Sequence, residues 1–450
     1  GYLPNATGIS STTVGWQSCA TGHLSSSFGH SARAYECRGV SVGYSTIACW
    51  CDGSAFGVGS CALQNYVTAV GYYSCGNYQS SAFGRSAKAT GSCSVSVGFY
   101  TQSTGSNSVA FGNYSCATGN YSTAVGRVAK ATGTDSSAIG RSSCATSHCS
   151  TAIGRYSCGT SNGATAIGYQ AKATGACSTA VGTSSCANNP KGLAMGYKAI
   201  TNTGSYSTIA IGDCVCTTDN NSMVVGKNSC SNNGSVALGY SSLATGYVST
   251  SLGFQSCATG NCSTAVGARL AKATGVFASA FGAESYATGD CSNAFGHCAC
   301  TSGEKTIAFG IKTCATGTCS GAIGFQSRAT GTWGYVIGID SCATGASSVA
   351  IGRGSCATSS CSTAIGHDSK TGVACTTNIS QPLIHKKDAG ETAGGDFKHF
   401  SSAETTLMTK EIDLKTTACH TMTIPTGATF FINEAGVIST CVDTLTTQAT

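Results

Sequence analysis

The sequence predicts an all-β chain: a parallel β-solenoid with a repeat period of 14 and a small β-rich module at its C-terminal end. Three observations predict the solenoid. A glycine preceded by an apolar residue returns at an almost constant step of 14, each interval splits into two similar halves of seven, and each half is a short alternating run ending near a glycine. The phrase is visible by eye as CATGNYSTAVG at 116–126, CATSHCSTAIG at 144–154, CATGNCSTAVG at 257–267, CATGTCSGAIG at 314–324 and CATSSCSTAIG at 356–366.

The anchor glycines run from Gly15 to Gly366 and number 26. Steps depart from 14 only at Gly84 and Gly239 (13 each), Gly212 (16) and Gly282 (15). The unit reads x-x-Ser-x-Ala-Thr-Gly-x-x-Ser-x-Ala-(Val/Ile/Phe)-Gly. A short alternating run closed by glycine is a strand followed by a turn. A helix is disfavoured, because each glycine in a helix interior costs about 1 kcal/mol. Coils stacked about 4.8 Å apart would give a rod of roughly 125 Å. Glycines such as Gly112, Gly126, Gly140, Gly154, Gly267, Gly324, Gly352 and Gly366 suit corners that need positive φ or close backbone approach.

With the anchor glycine counted as position 14, positions 3, 5, 10 and 12 are mostly Ser and Ala. Position 4 is Cys in many coils, among them Cys19, Cys61, Cys116, Cys144 and Cys257, and Arg33, Lys88, Lys130, Lys172 or Arg328 in others. So thin a coil cannot hold a column of unpaired ammonium groups, so position 4 faces outward and the Ser/Ala face lines the interior. Position 13 falls on the outer face too and is apolar in all 26 units. This column includes Val14, Phe28, Val42, Phe56, Val70, Phe111, Val125, Ile139, Ile153, Ile167, Val181, Val266, Phe295, Phe309, Ile323, Ile337, Ile351 and Ile365. Soluble monomers do not leave such a stripe in water, which points to an interface between chains. In the alternative arrangement these residues fill the coil and the alanines lie outside, which requires the two half-repeats to face opposite ways.

Composition narrows the function. Charged residues are 9% of the chain, far below the roughly 25% of ordinary domains, yet regularly spaced apolar residues argue against disorder. The net charge of +6 comes from singly scattered Lys and Arg, so no nucleic-acid partner is expected. No apolar run is long enough for a membrane helix. The start at Gly1 carries no secretory leader, as expected of a processed protein or a piece of a longer one, and TLTTQAT at the end reads as unfinished.

The 29 cysteines point to an oxidising environment. They follow the repeat rather than zinc knuckles. Pairs 14 apart stack in neighbouring coils, at a spacing a disulfide accepts: Cys37/Cys51, Cys61/Cys75, Cys144/Cys158, Cys216/Cys230, Cys300/Cys314, Cys342/Cys356 and Cys361/Cys375. A second set spans one corner: Cys144/Cys149, Cys257/Cys262, Cys314/Cys319 and Cys356/Cys361. The sets share members, so the connectivity stays open. Cys116 has no partner of either kind, and metal binding by the cysteine ladder is a minor alternative.

No catalytic, cofactor-binding or metal residues are assigned. The eight histidines form no evident cluster, His148 and His297 read as solvated, and phosphate-loop, nucleophile-elbow and HExxH patterns are missing. Sequons at Asn5, Asn113, Asn120, Asn220, Asn233, Asn261 and Asn378 fit a secreted surface as well as chance.

The repeat is expected to occupy residues 1–372, followed by an irregular linker over 373–400 and a β-rich module over 401–450. In the last of these, LMTKEIDL, HTMTI, TFFIN and GVIST alternate like strands, with NEAG as a turn.

NSVAFG (107–112), DSSAIG (135–140) and SSVAIG (347–352), each with a serine three residues after its glycine, resemble the head repeats of trimeric autotransporter adhesins of the YadA-like type. The resemblance spans about residues 5–372. It implies a left-handed parallel β-roll, a homotrimer whose Val and Ile residues face the common axis, and a role in attachment to surfaces or matrix. Related repeats also occur in virus and phage fibres. Those adhesins usually lack cysteine and carry a coiled-coil stalk and a membrane-anchoring barrel, for which no heptads or barrel strands are seen here. The function expected is therefore a non-enzymatic, extracellular homotrimeric fibre on a cell surface or virion, binding an unknown receptor, glycan or matrix ligand. Its rivals are an ice-binding solenoid, from Thr21, Thr90, Thr118 and Thr123, and a self-assembling filament subunit.

Overall fold

The computed structural model describes residues 3–202, 204, 206–379, 430–432 and 438–440. The chain divides into two compact units, Gly1–Gln381 and Pro382–Thr450.

In the first unit every coil contributes two strands. One holds two residues at positions 4 and 5, as in Cys116–Ala117; the other holds three to five residues from position 11 onward, as in Thr123–Val125 and Ile307–Ile311. Strands of each kind pair, in parallel, only with their own kind in the coils above and below. Two sheets of 27 strands result. The register advances by one repeat: Cys116 faces Lys130, Lys130 faces Cys144, and Val125 faces Ile139. Irregular steps leave the strands in phase: Thr68 lies opposite Ser81 where the step is 13, and Leu193 opposite Ile209 where it is 16. Insertions and deletions therefore sit in corners. The last strand, Thr377–Ile379, pairs with Thr363–Ile365 and lies beyond the expected boundary at 372.

The interior is very thin. Ala117, Ala124, Ala131 and Ala138 are wholly buried, as are Ser115, Ser122 and Ser136 between them. The bulkiest fully buried side chains are only Val67, Val215, Val224, Val336 and Asn189. So little apolar volume per coil makes the hydrogen-bond ladder between coils the main organising force. In the coil 113–126, Cys116, Thr118 and Thr123 donate their N–H groups to Ala129, Ala131 and Ser136 of the next coil, at 2.8–2.9 Å. Tyr114, Tyr121 and Gly126 donate to Phe99, Ser106 and Phe111 of the preceding coil, at 2.8–2.9 Å. Buried serines close the corners: Ser108 Oγ donates to the Gly105 carbonyl at 2.7 Å, and Ser143 Oγ to that of Gly140 at 3.0 Å. An alanine there would leave those carbonyls without this partner.

The corners correct one expectation. Gly112, Gly126, Gly140, Gly154, Gly324, Gly352 and Gly366 do have positive φ, from 114° to 132°, whereas Gly267 lies outside that region. The tightest left-handed positions, 2 and 9, are instead held by ordinary residues, among them Tyr114 (φ 55°), Tyr121 (57°) and Val128 (59°). Such residues seldom adopt this conformation, and here the inter-coil bond of the same N–H offsets the strain. Gly119, with no positive φ, is required by space alone, since a Cβ would lie 2.0 Å from the Gly133 carbonyl oxygen.

In the second unit, Phe430–Ile432 and Ile438–Thr440 form an antiparallel pair with Phe431 opposite Ser439. These strands fall within the expected TFFIN and GVIST; of the linker expected over 373–400, residues 377–379 form the strand just described, and residues 380–400, LMTKEIDL, HTMTI and the NEAG turn lie outside the described residues.

Two substitutions at one corner should behave oppositely. Gly119→Ala is expected to lower stability by more than about 3 kcal/mol, because backbone must move in two coils. Tyr121→Gly, exposed and already left-handed, should change it by no more than about 1 kcal/mol, in either direction. Denaturant unfolding of the two variants checks both.

Candidate functional site: an apolar stripe and a sulfur column

The position-13 side chains leave the coil. Val14 is 57% exposed, Phe111 53%, Phe309 57% and Ile337 49%, with Phe28, Ile139, Ile153, Ile167, Ile323 and Ile351 exposed beside them. Val42, Phe56, Val70, Val125, Val181, Val266, Phe295 and Ile365 are half-buried. With the alanines wholly inside, the reversed arrangement is excluded. Register stacks each member on the next: Ile323 faces Ile337, Ile337 faces Ile351, and the rings of Phe281 and Phe295 lie parallel, 5.0 Å apart. Between 307 and 353 the longer strands run through the corner glycine, and the stripe widens. There Ile307, Ile311, Phe325, Tyr335 and Ile339 are exposed alongside Phe309 and Ile337. Gly321 makes room for the Tyr335 ring, which a Cβ would approach to 2.9 Å.

The short-strand sheet carries position 4 on its outer face. Cys61/Cys75, Cys144/Cys158, Cys216/Cys230, Cys300/Cys314 and Cys342/Cys356 are direct cross-strand partners. Cys342 and Cys356 form a disulfide, with Cα atoms 4.7 Å apart. Cys356 is thereby committed to the ladder, and its corner pairing with Cys361 does not form. Cys37 and Cys51 stack at a corner, with their sulfurs 2.6 Å apart. Cys361 and Cys375 are exposed at successive left-handed corners, and so is Cys262. Cys149 and Cys319 hold the equivalent corner of their own coils, just beyond Cys144 and Cys314. Cys257 lies between Leu243 and Lys272, and Cys116 between Gln102 and Lys130, so neither has a sulfur opposite it in the ladder.

Sharing a proton across a stacked pair makes one sulfur acidic. A hydrogen bond from Cys158 lowers Cys144 to about 6 against the effect of burial, with help from the Lys130 ammonium, while Cys158 is raised. Cys314 falls in the same way to about 6 beside Cys300, and Cys216 to about 7 beside Cys230. Cys116 and Cys257, without that hydrogen bond, are pushed up by burial.

The corners carry the chemistry that the repeat does not dictate. Arg155 lies 5.0 Å from the Tyr156 ring and 5.6 Å from that of Tyr169, and His30 stacks between Trp16 and Tyr44. Asn120 and Asn261, both in sequons, use Oδ1 to accept the backbone N–H of Ser106 and Tyr247 in the preceding coil, each at 3.0 Å. The histidines are not all isolated, which corrects the sequence reading. Asp135, His148 and Cys149 form one cluster, and Glu284, His297 and Cys298 another. The signal is present in the sequence as a carboxylate at i with His-Cys at i+13 and i+14, the histidine out of phase with the repeat and so easily overlooked. Among the described residues no helix is long and apolar enough to cross a membrane, which says nothing of β-barrels.

The chain is a parallel solenoid repeat module with an interior of small side chains and one continuous apolar outer column. Residues 77–101, 94–115, 117–143, 131–157, 160–185, 231–256, 273–296 and 335–355 match the family model of the YadA head domain repeat. The matched coils are YadA head domain repeats, as the repeated phrase suggested. No curated protein matches the chain.

Two measurements test the sulfur column. In reduced protein, Cys144 should be alkylated by iodoacetamide at pH 7 and lose that reactivity as pH falls through about 6, with Cys116 unreactive until alkaline pH. Under oxidising conditions Cys356→Ser should lower stability by about 3 kcal/mol, the value expected for opening so short a loop.

Proposed function

We propose that the chain is the shaft of an extracellular homotrimeric fibre, carried on a cell surface or a virion, whose work is attachment. One observation carries the reading: the uninterrupted apolar column at position 13, outside its own coil and stacked in register from Val14 to Ile365. Isolated in water, such a column favours association, and the matches to the YadA head repeat support three chains meeting around it. In this reading Val14, Phe28, Ile139, Ile153, Ile167 and the wider patch around Phe309 and Ile337 meet sister chains at the axis. The sulfur column, on the other sheet, stays outside and staples neighbouring coils, which have little core to hold them. The same corners presented by three chains favour multivalent contact with a receptor, glycan or matrix, where many weak sites add to strong adhesion.

The mass of the native, non-reduced particle decides the matter. Three chains are expected, and a clean monomer overturns the reading. The variant Ile323→Asp/Ile337→Asp/Ile351→Asp should shift the particle toward single chains, because carboxylates at a dry axis would be desolvated without partners.

A further inference from the structure

We propose that the corners at Asp135/His148/Cys149 and Glu284/His297/Cys298 are two zinc-binding sites that clip adjacent coils. In each group one ligand atom from every residue lies within 4.8 Å of the other two. His148 Nε2 is 3.2 Å from Cys149 Sγ, and its Nδ1 is 3.8 Å from Asp135 Oδ2. Cys298 Sγ is 3.5 Å from Glu284 Oε2 and 3.7 Å from His297 Nε2. A tetrahedral zinc ion, with bonds of about 2.0–2.3 Å, holds its ligands roughly 3.3–3.8 Å apart. At the second cluster small side-chain adjustments reach that geometry; at the first the His148 ring must also turn, so that one nitrogen rather than both faces the ion.

The recurrence is the stronger part of the case. The first group occupies positions 8 and 9 of the repeat and the second positions 1 and 2, the equivalent places in the other half-coil. In both, the carboxylate and the cysteine hold successive left-handed corners: Asp135 at φ 56° and Cys149 at 53°, Glu284 at 55° and Cys298 at 54°. Their backbones are tied to the preceding coil, with Cys149 N–H bonded to the Thr134 carbonyl at 2.9 Å and Cys298 N–H to that of Ala283 at 3.0 Å. The coil stacking that pairs strands thus aims one acid at one thiol, and the neighbouring histidine supplies the third ligand. At the second site, Glu284 turns Oε1 toward Arg269 (3.9 Å to Nε) and Oε2 toward the thiol, so the metal-facing oxygen is distinct from the ion-paired one.

The donor set selects the ion. Thiolate, imidazole and carboxylate together suit zinc and its transition-metal neighbours, whereas calcium and magnesium prefer all-oxygen shells. Three protein ligands leave a fourth position for water. The inference does not depend on the trimer, since each cluster lies within one chain.

The test is a zinc titration of the full reduced chain against a chromophoric chelator, with thermal unfolding in parallel. The expected result is that His148→Ala and His297→Ala each remove one tightly bound zinc equivalent, and that the double variant loses two. In chelator the double variant should melt with the unmodified protein, and added zinc should raise the melting temperature less in the variant. Equal zinc content and equal zinc-induced stabilisation in both would overturn the proposal and place the metal on the sulfur ladder; loss in one single variant only would overturn the assignment of the other cluster.

Discussion

Everything in this molecule depends on the register between successive coils. The interior holds alanine, serine and an occasional valine, so one coil buries almost nothing that would keep it closed. Each coil instead borrows its order from the coils on either side, through backbone bonds that leave it alternately upward and downward. This explains the severity of the sequence code. Within the 26 units positions 5 and 12 take nothing larger than threonine or valine, as at Thr217 and Val224, and at Gly119 an added Cβ would strike the carbonyl of the next coil. Some of the serines, such as Ser108 and Ser143, bind corner carbonyls through their hydroxyls, whereas those of Ser115, Ser122 and Ser136 make no hydrogen bond and fill space as alanine does.

With the inside so constrained, variety is pushed to the outside, and the two outer faces diverge. One sheet presents the apolar column, with no polar residue at position 13 from Val14 to Ile365. The other alternates cysteine with lysine and arginine, an arrangement that makes some sulfurs acidic and others inert according to which neighbour stacks above. Between the faces, the corners carry tyrosine, arginine, histidine and acidic groups in no fixed order. Architecture and surface variety are thereby assigned to different positions of one short repeat.

Most of the fold was legible because a period of 14 leaves few ways to place a lysine. Lys88 and Lys130 at position 4 were enough to orient both sheets, and the alanines followed. The corners were less legible. Glycine marks them, but the sharpest bends fall on tyrosine, valine and cysteine, whose propensities argue against that conformation and are overruled by inter-coil hydrogen bonds. Cysteine connectivity could not be read from spacing, since ladder and corner pairs compete for the same sulfurs until strand register favours the ladder, as at Cys342 and Cys356. The two acid–histidine–cysteine groups escaped a column-by-column reading because their histidines stand one place outside the column shared by their partners.

The irregular steps at Gly84, Gly212, Gly239 and Gly282 leave pairing undisturbed on either side. A coil therefore meets only its immediate neighbours and carries no memory of its place in the series. Genes encoding such near-copies are prone to unequal exchange, which adds or deletes whole units. Reach then becomes an inheritable length, adjustable in increments of about 4.8 Å without redesigning a single contact.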